Sequence, residues 1–323
     1  MSERYTVENF VGAVKNPTKF VWEARRIVEQ TALLGTNYAF NHRHGPGIDV
    51  IAQDWDNLLL LDACRYDYFE EQSTIDGYLD AVVSKGGHSW EFMKGNFVDR
   101  ELHDTVYVTA NPHTEKLDDS VFHAVKPVYR DWDTDKETVL PEIVVERAIE
   151  AYKSYPDKRL IIHFMQPHMP YLGDTAAKLT NKFDLKGWDK YHGHDSISAE
   201  QTGQSIWEAV KESQITHDEL RKAYQESLDI VLDHVQNLVN ELDGRTVISA
   251  DHGEMLGERA IKFGRRRYGH PHDIRTKELF KVPWLTIDGG DRRKVKSGPP
   301  EGFERLNQQK VNKRLVSLGY KPE

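Results

Sequence analysis

Five clusters in this sequence carry side chains that could hold a cation or attack an ester. Thr246-Val-Ile-Ser-Ala250 has the apolar, β-branched composition of a buried strand and stops abruptly at Asp251-His252-Gly253-Glu254. Asn57-Leu-Leu-Leu-Leu61 stops at Asp62 in the same way. Val106-Tyr-Val-Thr-Ala110 leads into Asn111, and Arg159-Leu-Ile-Ile-His163-Phe164 carries His163 near its end. A carboxylate beside an imidazole suits a divalent metal, although one Asp after one strand is more often a cap. Asp62, Asn111, His163 and Asp251-His252 at four such ends favour the metal reading. In a parallel sheet those ends lie along one edge, where open α/β sheets bind ligands. Mixed oxygen and nitrogen donors put Zn²⁺ or Mn²⁺ ahead of Ca²⁺ or Mg²⁺. Another cluster, Ser84-Lys-Gly-Gly-His-Ser89, reads as a tight turn into a helix starting at Trp90. Such a start offers free N–H groups to an anion.

Strands must alternate with helices to bring these residues together. Pro141–Tyr155 and Asp218–Leu242 have helical spacing, the second with Leu220, Tyr224, Leu228, Val231, Val235 and Leu238 on one stripe. Ala81-Val-Val83 is a short ambiguous strand and Val282–Ile287 a last one. Residues 114–135 are acidic and irregular, and residues 172–216 read as a polar excursion able to set substrate choice. Near the start, Phe20, Val21, Ala24, Ile27 and Val28 recur at helical spacing, followed by a loop from Asn41 to Gly47. That helix packs on the domain or meets a partner or a membrane surface peripherally. The expected fold is α/β, an α/β/α sandwich with a mainly parallel sheet. Residues 1–50 form an N-terminal helical extension, 51–290 the catalytic domain, and 291–323 a C-terminal helical tail packed on it.

The 323-residue chain is 38% hydrophobic, ample for a core, and its net charge of −9 argues against general nucleic-acid binding. No apolar run is long enough for a transmembrane segment. Met1-Ser-Glu-Arg-Tyr5 lacks the basic start and apolar block of a signal peptide, so the cytoplasm is the expected compartment. Cys64 is the single cysteine, which excludes an internal disulfide and a cysteine zinc cage. Nothing in the sequence sets the oligomeric state.

Asn57-Leu-Leu-Leu-Leu-Asp62, His163-Phe-Met-Gln-Pro-His168-Met-Pro-Tyr171, Ala250-Asp-His-Gly-Glu254 and Gly269-His270, in that order, resemble the blocks of the alkaline phosphatase superfamily, and most closely its sulfatase-like branch that includes phosphoethanolamine transferases. The resemblance implies an α/β/α sandwich, a bound divalent metal and attack by a metal-activated nucleophile on an anionic phosphate or sulfate ester. Carried across, Asp62, Asp251 and His252 become metal ligands. Ser89 becomes both ligand and nucleophile, because direct coordination would lower its hydroxyl pKa; as a bare helix cap it would do neither. His168 and His270 become acid or substrate groups. His163, His272, Lys85 and Arg267 become substrate contacts, with packing at its strand end the alternative for His163, and Arg65 and Lys85 could neutralise charge on nonbridging oxygens. The run from Lys262 to Arg267 could draw in an anion or simply be a solvated basic loop.

Two departures narrow the reading. Type I sulfatases need Cys or Ser followed two residues later by Pro, whereas Cys64 is followed by Arg65 and Tyr66. Ala63 stands where many sulfatases place a second ligand Asp. Both put phosphoester chemistry and one metal ahead of conventional sulfatase activity. The expected function is therefore a metal-dependent hydrolase or transferase working through a covalent Ser89 ester. The alternative is a non-catalytic binding or assembly protein that keeps the fold.

Overall fold

Strand β1 (Asn57–Leu61) is apolar throughout because both of its faces are covered. The computed structural model of the protein describes residues 17–183, 185, 205–303 and 305–318. In it, β1 lies between β5 (Arg159–Phe164) and β6 (Gly244–Ala250), parallel to both. The seven-stranded sheet continues through β3 (Leu102–Thr109) and β4 (Phe122–Pro127) on one side. On the other it continues through β9 (Lys281–Gly289) to β2 (Tyr78–Val83), in the order β2-β9-β6-β1-β5-β3-β4. The pairings of β9 are antiparallel; the rest are parallel, as a mainly parallel α/β sheet requires.

Side-chain alternation along these strands builds two cores. Leu59, Leu61, Val106, Val108, Leu160, Ile162 and Ile248 point to one face. There they meet α2 (Tyr66–Gln72), α4 (Pro141–Ser154), α7 (His217–Glu241) and α9 (Gln308–Ser317). Leu58, Leu60, Tyr107, Ile161 and Val247 point to the other face, against Phe92 and Met93 of α3 (Ser89–Asn96) and Trp55. Each buried Leu contributes about 1.5–3 kcal/mol. Helix α7 buries Leu228, Val231, Val235 and Leu238 and begins with a capping box between Thr216 and Glu219.

Four readings of the sequence are corrected here. The loop expected from Asn41 is helical as far as His44, the last residue of α1 (Pro17–His44). The irregular 114–135 stretch contains edge strand β4. After Glu254 the chain forms a hairpin, β7 (Met255–Arg259) and β8 (Arg266–Gly269), whose arginine-rich sequence gave no strand pattern. The polar excursion contains α5 (Asp174–Phe183) and α6 (Ile206–Lys211), which pack Leu179 and Trp207 on Tyr171 and Tyr224; residues 184 and 186–204 of it lie outside the described residues. Short α8 (Lys277–Phe280) precedes β9. Residues 296–301 are tied back through backbone bonds from Lys296 to Asp157 and from Gly298 to His103.

Two glycines give a test with opposite signs. A Cβ on Gly253 would overlap the Glu278 carbonyl oxygen, a backbone atom with little room to move, whereas Gly35 in the exposed interior of α1 has nothing within 4 Å. In urea unfolding, Gly253→Ala should cost about 1–3 kcal/mol. Gly35→Ala should stabilise α1 by about 0.5–1 kcal/mol, read as added helicity and protection from proteolysis.

Candidate active site

Strand register is what makes Asp62 and Asp251 neighbours. Leu61 pairs with Ala250 on one side and Phe164 on the other, so the residues after Leu61 and Ala250 emerge together. Thr109 pairs with His163, which brings Asn111 to the same edge. The chain must turn at once after β1, and Ala63 does so at a left-handed φ of 60°. Its N–H donates to Asp251 Oδ1 at 3.2 Å, and its carbonyl accepts from Tyr224 Oη at 2.8 Å.

Ser89 arrives from the opposite face. Ser84 Oγ donates to the Asp251 carbonyl at 2.5 Å and accepts from Gly86 N–H at 3.1 Å. The chain then enters α3 with His88 as N-cap, its Nδ1 accepting from Glu91 N–H, and Ser89 as first helical residue. A Cβ on Gly86 would overlap the Phe92 amide nitrogen, so only glycine lets this turn sit so close to the helix. Ser89 Oγ consequently lies 3.3 Å from both Asp62 Oδ2 and His252 Nε2.

Asp62, Asp251 and His252 are fully buried, and one ligand atom from each lies within 4.8 Å of the others. Asn111 Nδ2 donates to Asp62 Oδ2 at 2.8 Å, and the His252 and Ala63 N–H groups donate to Asp251 Oδ1. The other two oxygens, Asp62 Oδ1 and Asp251 Oδ2, have no hydrogen-bond donor. They lie 3.3 and 3.6 Å from His252 Nε2, while Nδ1 of that ring donates to the Gly253 carbonyl at 2.8 Å. Ligand atoms about 2.0–2.1 Å from a tetrahedral Zn²⁺ stand roughly 3.3 Å apart, so this spacing fits a divalent metal. Buried carboxylate oxygens are expensive to leave bare, and a divalent cation is a group that could satisfy these. With no cation, burial opposes charge on His252. Asp251 and Asp62 outweigh it and push the ring up to about 9. Burial would likewise raise Asp251, yet His252 and His163 hold it well below the usual carboxylate range.

A second layer surrounds this group. His163 is fully buried: Nδ1 is 2.7 Å from Tyr107 Oη and Nε2 is 3.5 Å from Asp251 Oδ2. It therefore backs the aspartate, which corrects the expectation of a substrate contact. His168 and His270 stack at 5.1 Å with their Nε2 atoms 2.9 Å apart, and the His270 ring is 5.2 Å from His252. His168 Nδ1 faces the Met169 carbonyl at 2.5 Å, so its proton sits there and His270 donates across the pair. Burial lowers both rings and keeps them neutral. His272 is exposed and stacks at 4.1 Å on His88; burial, then His272, pushes His88 down to about 3.

The cations expected at the site serve elsewhere. Arg65 binds Asp67 (2.6 Å), Glu258 (2.7 Å) and the Glu254 carbonyl, and its backbone N–H donates to Tyr224. Lys85 binds Asp49 and the Gly95 carbonyl, both at 3.0 Å. Arg267 pairs with Glu29 of α1 and with Asp273. In each case a carboxylate distant in sequence competes for the side chain, and the sequence alone does not reveal that pairing. Conversely, Asn111 supports Asp62, and Glu254 is buried against Tyr171 Oη at 3.1 Å, with burial raising its carboxyl to about 8. The signal for Glu254 was its place in Asp251-His252-Gly253-Glu254; the half-buried His88 and the buried His113 had only their neighbourhood to Ser89 and Asn111. Cys64 is fully buried in the core below β1, where burial raises its thiol.

The sulfatase family model matches residues 74–317, a span that takes in Ser89, Asp251 and His252 and begins after Asp62. No curated protein sequence matches the chain. Similar solved structures include the C-terminal periplasmic domain of EcEptC from Escherichia coli in complex with Zn, at 12% identity over 75% of each chain and a TM-score of 0.47. The C-terminal periplasmic domain of the phosphoethanolamine transferase EptC from Campylobacter jejuni is similar at 12% identity over 72% of this chain and 78% of that one, TM-score 0.38. An alkaline phosphatase superfamily protein from Vibrio parahaemolyticus is similar at 10% identity over 78% and 64%, TM-score 0.42.

Chelator-stripped protein titrated with Zn²⁺ should take up one ion per chain and gain thermal stability. Asp251→Ala should abolish measurable uptake. Asn111→Ala, which removes only the support under Asp62, should weaken it about 10–100-fold.

Proposed function

The chain belongs to the sulfatase family, and on that premise we propose that it is a metal-dependent enzyme of phosphate or sulfate ester chemistry, with Ser89 as nucleophile. The observation that carries this reading is the Ser89 hydroxyl 3.3 Å from both Asp62 and His252, beside two carboxylate oxygens that lack donors. Asp62, Asp251 and His252 would hold the metal, with Zn²⁺ or Mn²⁺ matching the donor set. When bound, the metal supplies a Lewis acid that lowers the hydroxyl pKa and offsets charge on the ester oxygens.

The protein's own groups do the rest. Ser89 at the first position of α3 sets the ester's anionic oxygens beside the positive, N-terminal end of that helix. The Ser89 oxygen, its proton released to water, attacks phosphorus (or sulfur), forming the enzyme ester as the bond to the leaving oxygen breaks and that oxygen takes a proton from water. His270 would turn its Nε2–H from His168 Nε2 to that leaving oxygen, while His168 keeps its own N–H on the Met169 carbonyl and burial keeps both rings neutral. Water or a second alcohol then takes the group from Ser89, which separates hydrolysis from transfer. Cys64 in the core speaks against a formylglycine route and keeps phosphate ahead of sulfate. A cavity of about 530 Å³ begins at Met169, whose carbonyl accepts from His168. Tyr171, Leu172, Ala176 and Ile206 give it an apolar lining, with Lys136 and Asp135 also on its wall. It would house the organic part of the ester.

The test is a metal-replete screen of aryl phosphates, phosphodiesters and aryl sulfates. Ser89→Ala should lower kcat by roughly a thousandfold or more while metal uptake persists. Wild-type turnover in that variant would remove Ser89 from the mechanism.

A further inference from the structure

Helix α1 is amphipathic in the wrong direction for a helix that only packs on its domain. Its inward face buries Leu33 and the carboxylate residue Glu29, and sets Phe40 against Phe280 at 5.5 Å. Its outward face carries Val21, Ile27, Val28, Leu34 and Tyr38, which are 64, 47, 68, 71 and 73% exposed. At about 100° per residue these share an arc of roughly 140°, on which Ala24, Thr31, Gly35, Ala39 and His42 also fall between Val21 and His44. No Asp, Glu, Lys or Arg falls on that arc. Ordinary surface helices put their charges there.

The β7–β8 hairpin adds a second exposed apolar group to the same region. Phe263 at its tip is 82% exposed, with Lys262 over its ring at 5.8 Å. The hairpin is fastened to α1 through Glu29, which accepts from Arg265 N–H at 3.1 Å and pairs with Arg265 and Arg267, both at 3.5 Å. Residues 17–44 and 259–267 together hold nine Lys and Arg against two Glu, a net charge of +7 in a chain whose total is −9. Positive charge is thus gathered where the exposed apolar side chains are.

We propose that the outward face of α1 and the tip of the β7–β8 hairpin form a docking surface for an anionic lipid bilayer. Among its side chains only Thr31, Tyr38 and His42 offer directional bonding, which suits burial in a lipid interface better than fitting a protein groove. Arg25, Arg43, Lys262 and Arg266 supply attraction to anionic headgroups. No described helix is long and apolar enough to cross a membrane, so α1 would lie on the bilayer surface.

Flotation of the full chain with phosphatidylcholine vesicles, with and without phosphatidylglycerol, tests this. The protein should float with the anionic vesicles and bind the neutral ones about tenfold more weakly or worse. Val28→Asp with Leu34→Asp should abolish flotation with the melting temperature and metal uptake unchanged. Arg25→Gln and Lys262→Gln should each weaken binding about fivefold, and added salt should mimic them. Failure to float with anionic vesicles overturns the proposal, as does flotation that survives the paired Asp substitutions. A wild-type dimer that those substitutions split, with no vesicle binding, would assign the face to a second copy of the chain instead.

Discussion

Two buried aspartates aim bare oxygens at one imidazole nitrogen, and the structure around them is arranged to sustain that. Desolvating a carboxylate costs several kcal/mol unless bonds or a cation replace the lost water. Three of the needed bonds are present: Asn111 to Asp62, and the Ala63 and His252 N–H groups to Asp251. The oxygens without donors face inward around His252. In the metal-free state a proton on His252 offsets part of that charge, which is why burial fails to keep the ring neutral. A divalent ion would answer the same deficit more fully.

The scaffold bears this cost because the aspartates follow the most deeply buried strands. Both β1 and β6 have neighbours on both sides and helices over both faces, so the ends from which Asp62 and Asp251 emerge have little freedom to move apart. His163 behind Asp251 and Tyr107 behind His163 extend the support into the core. Polarity at the site is also confined. His168 and His270 are held neutral by burial, and Glu254 keeps its proton to about pH 8, so anionic charge is concentrated on the two aspartates.

Arg65, Lys85 and Arg267 instead lock loops around the centre to carboxylates. Charge on a bound ester would then be met by the metal and the first turn of α3 rather than by these three cations. The unused positive charge gathers beyond the site, along α1 and the hairpin, where Glu29 joins the two. A side chain as costly to bury as Glu29 faces inward while Val28 and Leu34 face out. That inversion sets α1 apart from the other long helix, α7, whose apolar stripe lies in the core.

The sequence alone determined what is local. Unbroken apolar runs marked β1, β5 and β6, since a strand covered on both faces has no polar positions, and the 3.6-residue stripe marked α7. The abrupt switch to Asp62, Asp251 and His252 after such runs exposed the donor types of the centre, and the glycine pair before Ser89 exposed a helix start. Strand β4 and the β7–β8 hairpin escaped because Phe122–Pro127 is short and ends in proline, and Arg266–Gly269 owes its pairing to its partner strand rather than to its own pattern. Only the tertiary structure decided that β6 lies beside β1, that Arg65 turns to Glu258, that His163 stands behind Asp251 and that α1 shows its apolar side to solvent. Periodicity reports which face of an element is apolar. Which residue from elsewhere in the chain meets that face depends on strand order and register, and those are settled by packing across the whole sheet.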